Sequence, residues 1–167
     1  MRRSRSRPRL PRETLTQSLA LVALLVLGGV AVAGPSGLLA WSENSRLLGE
    51  RKVFARPIGQ NQGVQFPIAR CYAQMRAAEL MVHHAAATYD AGGNVGEEAN
   101  MAKLLASEAS WAAADMCVQT HGGFGFAEEY DVERKFREAR LYTVAPISTN
   151  LILSYLAEHV LGLPRSY

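Results

Sequence analysis

Three short stretches carry residue types that packing alone does not require. Glu50-Arg51-Lys52-Val53-Phe54 is followed by Arg56-Pro57-Ile58-Gly59-Gln60-Asn61-Gln62. Gln119-Thr120-His121-Gly122-Gly123-Phe124-Gly125-Phe126 holds paired glycines behind a carboxamide. Arg134-Lys135-Phe136-Arg137-Glu138-Ala139-Arg140-Leu141-Tyr142 leads into Ser148-Thr149-Asn150. Adjacent glycines at a helix end let the backbone approach a ligand closely, because no Cβ stands in the way. A glutamine one turn earlier offers donors to a phosphate, and a pyrophosphate or a ribityl chain suits such a place. The same residues also read as a glycine cap followed by a loop. On spacing alone, a histidine followed by two glycines does not choose between these readings.

Other chemistries find less support. His83 and His84 are neighbours on a helical stretch, so their side chains point about 100° apart and cannot chelate one ion together; no metal site is expected. Ser148 has no histidine and aspartate at a telling distance, which leaves a hydrolase unsupported. Glu128 and Glu129 follow the glycines but read as surface charges.

The elements that must position these residues are helices. Residues 43–54 read as a short amphipathic helix or helix end, closed before Pro57, and Pro57 to Gly63 as a loop. Over 64–90, Ile68, Tyr72, Met75, Val82, Ala86 and Tyr89 fall on one stripe at helical spacing, and Gly92-Gly93 stops the helix. The next helix starts near Gly96, with Glu97 and Glu98 in its first turn, where the positive helix end favours them. Its expected buried face runs through Met101, Leu104, Leu105, Trp111, Ala112 and Val118 to His121-Gly122-Gly123. A charged helix covers roughly 131–140. Ser148 or Thr149 caps a last one, whose apolar face is Leu151, Ile152, Tyr155, Leu156 and Val160, ended by Gly162 and Pro164. No run alternates as a strand does. The expectation is an all-α, antiparallel four-helix bundle with two long central helices.

The net charge of +3 belongs to the N-terminal end. Six arginines against Glu13 put +5 in the first 13 residues, so residues 14–167 carry −2 and give no support to nucleic-acid binding. Cys71 and Cys117 sit in helical apolar patterns and read as buried free thiols, which suits a reducing compartment. Residues 1–40 differ from the rest. Nothing from Thr14 to Ser42 is charged, Leu19–Ala33 is almost wholly apolar, and Ala31-Val32-Ala33 resembles a signal-peptidase site. This segment reads as a signal peptide or marginal membrane span, as a stray stretch from a truncated gene or shifted frame, or as an apolar helix packed on the body. Domain 41–167 follows the break at Gly34-Pro35-Ser36-Gly37.

Taken together, Gln119 to Phe126, Glu129-Tyr130, Glu133-Arg134 and Arg137-Glu138-Ala139-Arg140 resemble the C-terminal signature of acyl-CoA dehydrogenases, with Asp131 where proline is usual. Glu50-Arg51-Lys52-Val53-Phe54 resembles that family's E-R-x-x-F-G segment, with Ala55 in place of glycine, and Gln62 and Phe66 match its Q…F pair. The resemblance runs from about Trp41 to Tyr167. It implies FAD bound across a homodimer or homotetramer interface, an acyl-CoA substrate, an electron-transfer flavoprotein or similar acceptor, and a cytoplasmic protein. Membrane association through residues 14–40 is the alternative, as a non-catalytic anchored or exported helical module. By position, Arg51 resembles the arginine on the pyrophosphate of the partner's flavin, a role that suits a bidentate guanidinium. Gln62 resembles the glutamine on the adenosine side. Gln119, Gly122 and Gly123 resemble the rest of that cross-subunit site, with Thr120 and His121 between them; His121 also reads as a satisfied helix-end histidine. Ser148 and Asn150 stand where the family often has Thr and Gln beside the flavin, or form a helix N-cap. The family commonly carries its catalytic glutamate where this chain has Pro146, so no catalytic base is found. The resemblance therefore implies a fragment of an α,β-dehydrogenase that turns over little alone.

Overall fold

A computed structural model describes residues 46–166. Residues 46–50 are helical, and a two-stranded antiparallel hairpin follows, β1 (Lys52–Val53) paired with β2 (Arg56–Pro57). The helix expected over 43–54 therefore ends sooner. The chain reverses at Phe54 and Ala55, both with positive φ, and a 3-10 turn (Ile58–Gln60) leads into α1 (Gln62–Asp90). Helix α2 (Gly96–His121) begins and ends where the glycines indicated. Two 3-10 turns, Gly122–Phe126 and Glu128–Tyr130, connect it to α3 (Val132–Tyr142). Helix α4 (Thr149–Tyr155) continues as a π-helical turn over Leu156–Val160. Among the described residues the fold is all-α apart from the hairpin.

Helices α1 and α2 pack antiparallel. Met75 and Ala78 meet Ala106, Ala109 and Ala113, while further along α1 Val82 and Ala85 meet Ala102 near the start of α2. Helix α3 turns back along α2: Val132 packs on Cys117, and the Lys103 ammonium donates to the Tyr142 carbonyl at the far end. Helix α2 is thus the central rod, with other helices on several sides of it.

The expected core was only partly right. Ile68, Met75 and Val82 are buried, but Tyr72 and Tyr89 are exposed and Ala86 is half-buried. On α2 the buried face is Ala99, Ala102, Ala106, Ala109, Ala113, Ala114 and Cys117, whereas Leu105 is exposed and Met101, Leu104, Trp111, Ala112 and Val118 are half-buried. Close approach of two long helices favours small side chains at the contact and moves bulky ones to the flanks. On α4 only Ile152 is fully buried; Leu151 and Val160 are exposed, and Tyr155 and Leu156 are half-buried. Among the described residues both cysteines are free: Cys117 is buried and Cys71 half-buried. Burial and the nearby Asp115 carboxylate push the Cys71 thiol up, away from the reactive thiolate.

Candidate functional site

The hairpin brings Arg51 to the end of α2. Its carbonyl accepts from Ile58 N–H at 2.9 Å, which fastens the segment from behind. Its guanidinium Nη1 donates to the carbonyl of His121 at 3.2 Å, immediately before the glycine pair. A carbonyl at a helix C-terminus carries partial negative charge and lacks an intrahelical partner, so a cation there is favoured. One N–H of the guanidinium fork is used in this bond; a fork has five.

His121 is buried, as a satisfied helix-end histidine should be: its Nδ1 lies 2.8 Å from the Cys117 carbonyl. That contact requires the proton on Nδ1, since a carbonyl oxygen only accepts. The Thr120 hydroxyl is likewise spent, donating to Met116 O at 2.7 Å. Gln119 is exposed.

Gly122 has φ 64 and ψ −135, a conformation that essentially only glycine adopts, and its N–H caps α2 by donating to Val118 O. Gly123 is different. Its backbone is ordinary and a Cβ there would meet nothing within 4 Å, so packing does not demand glycine. Open space lies over both glycines. Gly125 is required by packing instead, because a Cβ would come to 2.8 Å from Val118 O. A guanidinium beside two exposed glycine backbones suits a diphosphate in charge and in room.

Gln62 is exposed and is the first residue of α1, behind the N-cap Asn61 and joined to Arg51 through the hairpin and 3-10 turn. Phe66 is exposed one turn later. Ser148 and Asn150 are not brought to this cluster. Ser148 forms the N-cap of α4, its hydroxyl accepting from Leu151 N–H at 3.4 Å, and Asn150 is exposed. The loop that leads to them leaves α3 beside Lys103, about 27 Å along α2 from His121 at 1.5 Å per residue. Pro146 in that loop is exposed.

Aromatic rings surround the glycines, and the motif by itself assigns them no role. Phe124, Phe126 and Tyr130 are 55%, 76% and 39% exposed. The Phe124 and Tyr130 rings lie 5.4 Å apart, and the Tyr130 ring meets His121 edge-on at 6.0 Å. Three aromatics within nine residues of a glycine pair were the available signal.

A family model described as "Acyl-CoA dehydrogenase, C-terminal domain" matches residues 39–161. The chain is 43% identical over 141 residues to the acyl-CoA dehydrogenase FadE12 of Mycobacterium tuberculosis, covering 83% of this chain and 36% of that one. It is 41% identical over 95 residues to the caffeyl-CoA reductase–Etf complex subunit CarC of Acetobacterium woodii, covering 57% and 25% of the two chains. The structure of a glutaryl-coenzyme A dehydrogenase–glutaryl-CoA complex superposes with a TM-score of 0.80 at 28% identity, over 87% of this chain and 37% of that one. The chain thus spans about a third of the length of FadE12. Among the described residues no helix is long and apolar enough to cross a membrane; the segment 14–40, the candidate span, lies outside them.

Proposed function

The chain belongs to the acyl-CoA dehydrogenase family through that family's C-terminal domain, and from this premise we propose that it contributes the diphosphate-gripping part of an FAD site to a neighbouring subunit of a homodimer or homotetramer. The observation that carries the reading is the Arg51 guanidinium held on the His121 carbonyl, directly beside the glycine pair. FAD, when bound, supplies the acceptor for the β-hydride of an acyl-CoA thioester. Arg51 neutralises diphosphate charge with its remaining N–H donors, and Gly122 and Gly123 let the phosphate oxygens reach the backbone. Gln62, at the start of α1, serves the adenosine side, and Gln119 the rim of the site. Thr120 and His121 act through the helix end that they brace. Ser148 and Asn150 lie at the other end of α2, so they serve a different part of a flavin from the one that Arg51 holds.

The reaction assigned to the whole protein is α,β-dehydrogenation of an acyl-CoA, with electrons passed to an electron-transfer flavoprotein or similar acceptor in the cytoplasm. This chain offers no carboxylate at Pro146 to take the α-proton, so we assign it the binding and assembly half of that task. Residues 1–40 enter the same reading. The similarity to FadE12 covers 83% of this chain, more than the stretch 41–167 alone, so it reaches back into the uncharged segment. The test is titration of FAD into the full chain by flavin fluorescence, with dye reduction by acyl-CoAs alongside. Saturable binding, at least tenfold weaker in Arg51→Gln, with little turnover is the expected result. Binding that ignores the substitution would refute the site, and robust turnover would refute the division of labour.

A further inference from the structure

Resting on the diphosphate reading of Arg51 and the glycine pair, we infer that Phe124, backed by Tyr130, is the stacking surface for the adenine of the bound dinucleotide. Four observations bring them into one site. Arg51 is bonded to the His121 carbonyl. The His121 ring meets Tyr130, and Tyr130 meets Phe124. Phe124 directly follows Gly123, over which there is open space. More than half of Phe124 is exposed.

Leaving an aromatic ring in water forgoes the gain of burying it. Here the exposed ring directly follows two glycines with open space over them, and the carbonyl just before those glycines holds the Arg51 guanidinium. A ligand matching all three needs concentrated negative charge and, a short distance away, a flat apolar face. A nucleoside diphosphate has both. The purine is chosen over the isoalloxazine ring by reach. Phe124 is only two residues from Gly122, and consecutive Cα atoms lie about 3.8 Å apart. One ribose separates adenine from the diphosphate, whereas the longer ribityl chain separates the flavin ring. The tilted contact with Tyr130 fixes the Phe124 ring from one side, and stacking tolerates any base because every base has a π-face.

The experiment is calorimetric titration of the full chain with ADP and, separately, with inorganic pyrophosphate. It compares wild type with Phe124→Ala, Phe124→Trp and Arg51→Gln. Phe124→Ala should weaken ADP by about tenfold, leave pyrophosphate unchanged, and be rescued by Phe124→Trp. Arg51→Gln should weaken both ligands. If Phe124→Ala leaves ADP untouched while Arg51→Gln weakens both, the stacking role is overturned and the diphosphate site stands. If Arg51→Gln changes neither, or the chain does not bind ADP, the underlying reading fails and this inference with it. A loss of pyrophosphate affinity in Phe124→Ala also overturns the inference, because the ring would then be supporting the loop rather than meeting the base.

Discussion

The two adjacent glycines have separate jobs, and substituting each in turn distinguishes fold from ligand. Gly122 sits at φ 64, ψ −135, so Gly122→Ala should cost about 1–3 kcal/mol of stability through backbone strain. Gly123 has room for a methyl group. Gly123→Ala should therefore melt with wild type yet weaken FAD, because the methyl group occupies the space assigned to the diphosphate. A thermal melt and a flavin titration of both variants check this; unchanged affinity in Gly123→Ala would count against the cradle. A second residue-scale expectation concerns Lys103. It is buried on α2, its ammonium on the Tyr142 carbonyl, and burial holds its pKa below the usual 10.5. The unfolded chain then binds more protons in the window just below 10.5, so stability rises with pH there. Denaturation at neutral pH and near pH 10.5 should show the gap between wild type and Lys103→Met shifting in favour of wild type as pH rises. A pH-independent gap would mean that the lysine titrates normally in the folded chain. Such sites were legible in the sequence only in part. Glycine pairs advertise themselves, but nothing in the pattern marked Lys103 as buried, since a lysine amid alanines reads as a solvated charge.

At the scale of elements, the helix ends were legible and the hairpin was not. Gly92, Gly96, Gly122 and Ser148 each fixed a boundary, because positive φ at Gly92 and Gly122 and a hydroxyl cap at Ser148 are local demands that a sequence displays. Two-residue strands leave no alternation to detect, and the turn between them has no glycine: Phe54 and Ala55 adopt φ 52 and 64. The left-handed conformation costs a residue with a Cβ about 1–2 kcal/mol, part of which glycine returns as unfolded-state entropy. Ala55→Gly should thus stabilise the chain by about 0.5–1 kcal/mol, measured by denaturant titration; a loss of stability would mean that the turn is not as described. Asp131 offers a parallel case. Where the family usually has proline, this residue takes φ 60, which the proline ring forbids, and it pairs with Arg134 at 2.7 Å. That guanidinium holds the Asp131 carboxyl below its ordinary range. The contribution is present at neutral pH and lost as pH falls through the lowered value, and salt screens it because both side chains are about half exposed.

For the molecule as a whole, alanine made the fold class plain and hid the core. A helix rich in alanine has no single obvious apolar face, so its largest hydrophobes point to the wrong interior. In fact α1 and α2 meet through small side chains, and bulky ones remain outside, among them Leu80 at 65% and Leu151 at 58% exposure. Exposed residues of this kind are what a subunit interface uses. They agree with a flavin site that is completed between copies. The direct measurement is a crystal structure of the full chain grown with FAD. The diphosphate of one copy's flavin is expected on the Arg51 guanidinium and the Gly122–Gly123 backbone of another. An ordered flavin bound elsewhere, with Arg51 still engaged only by the His121 carbonyl, would contradict it.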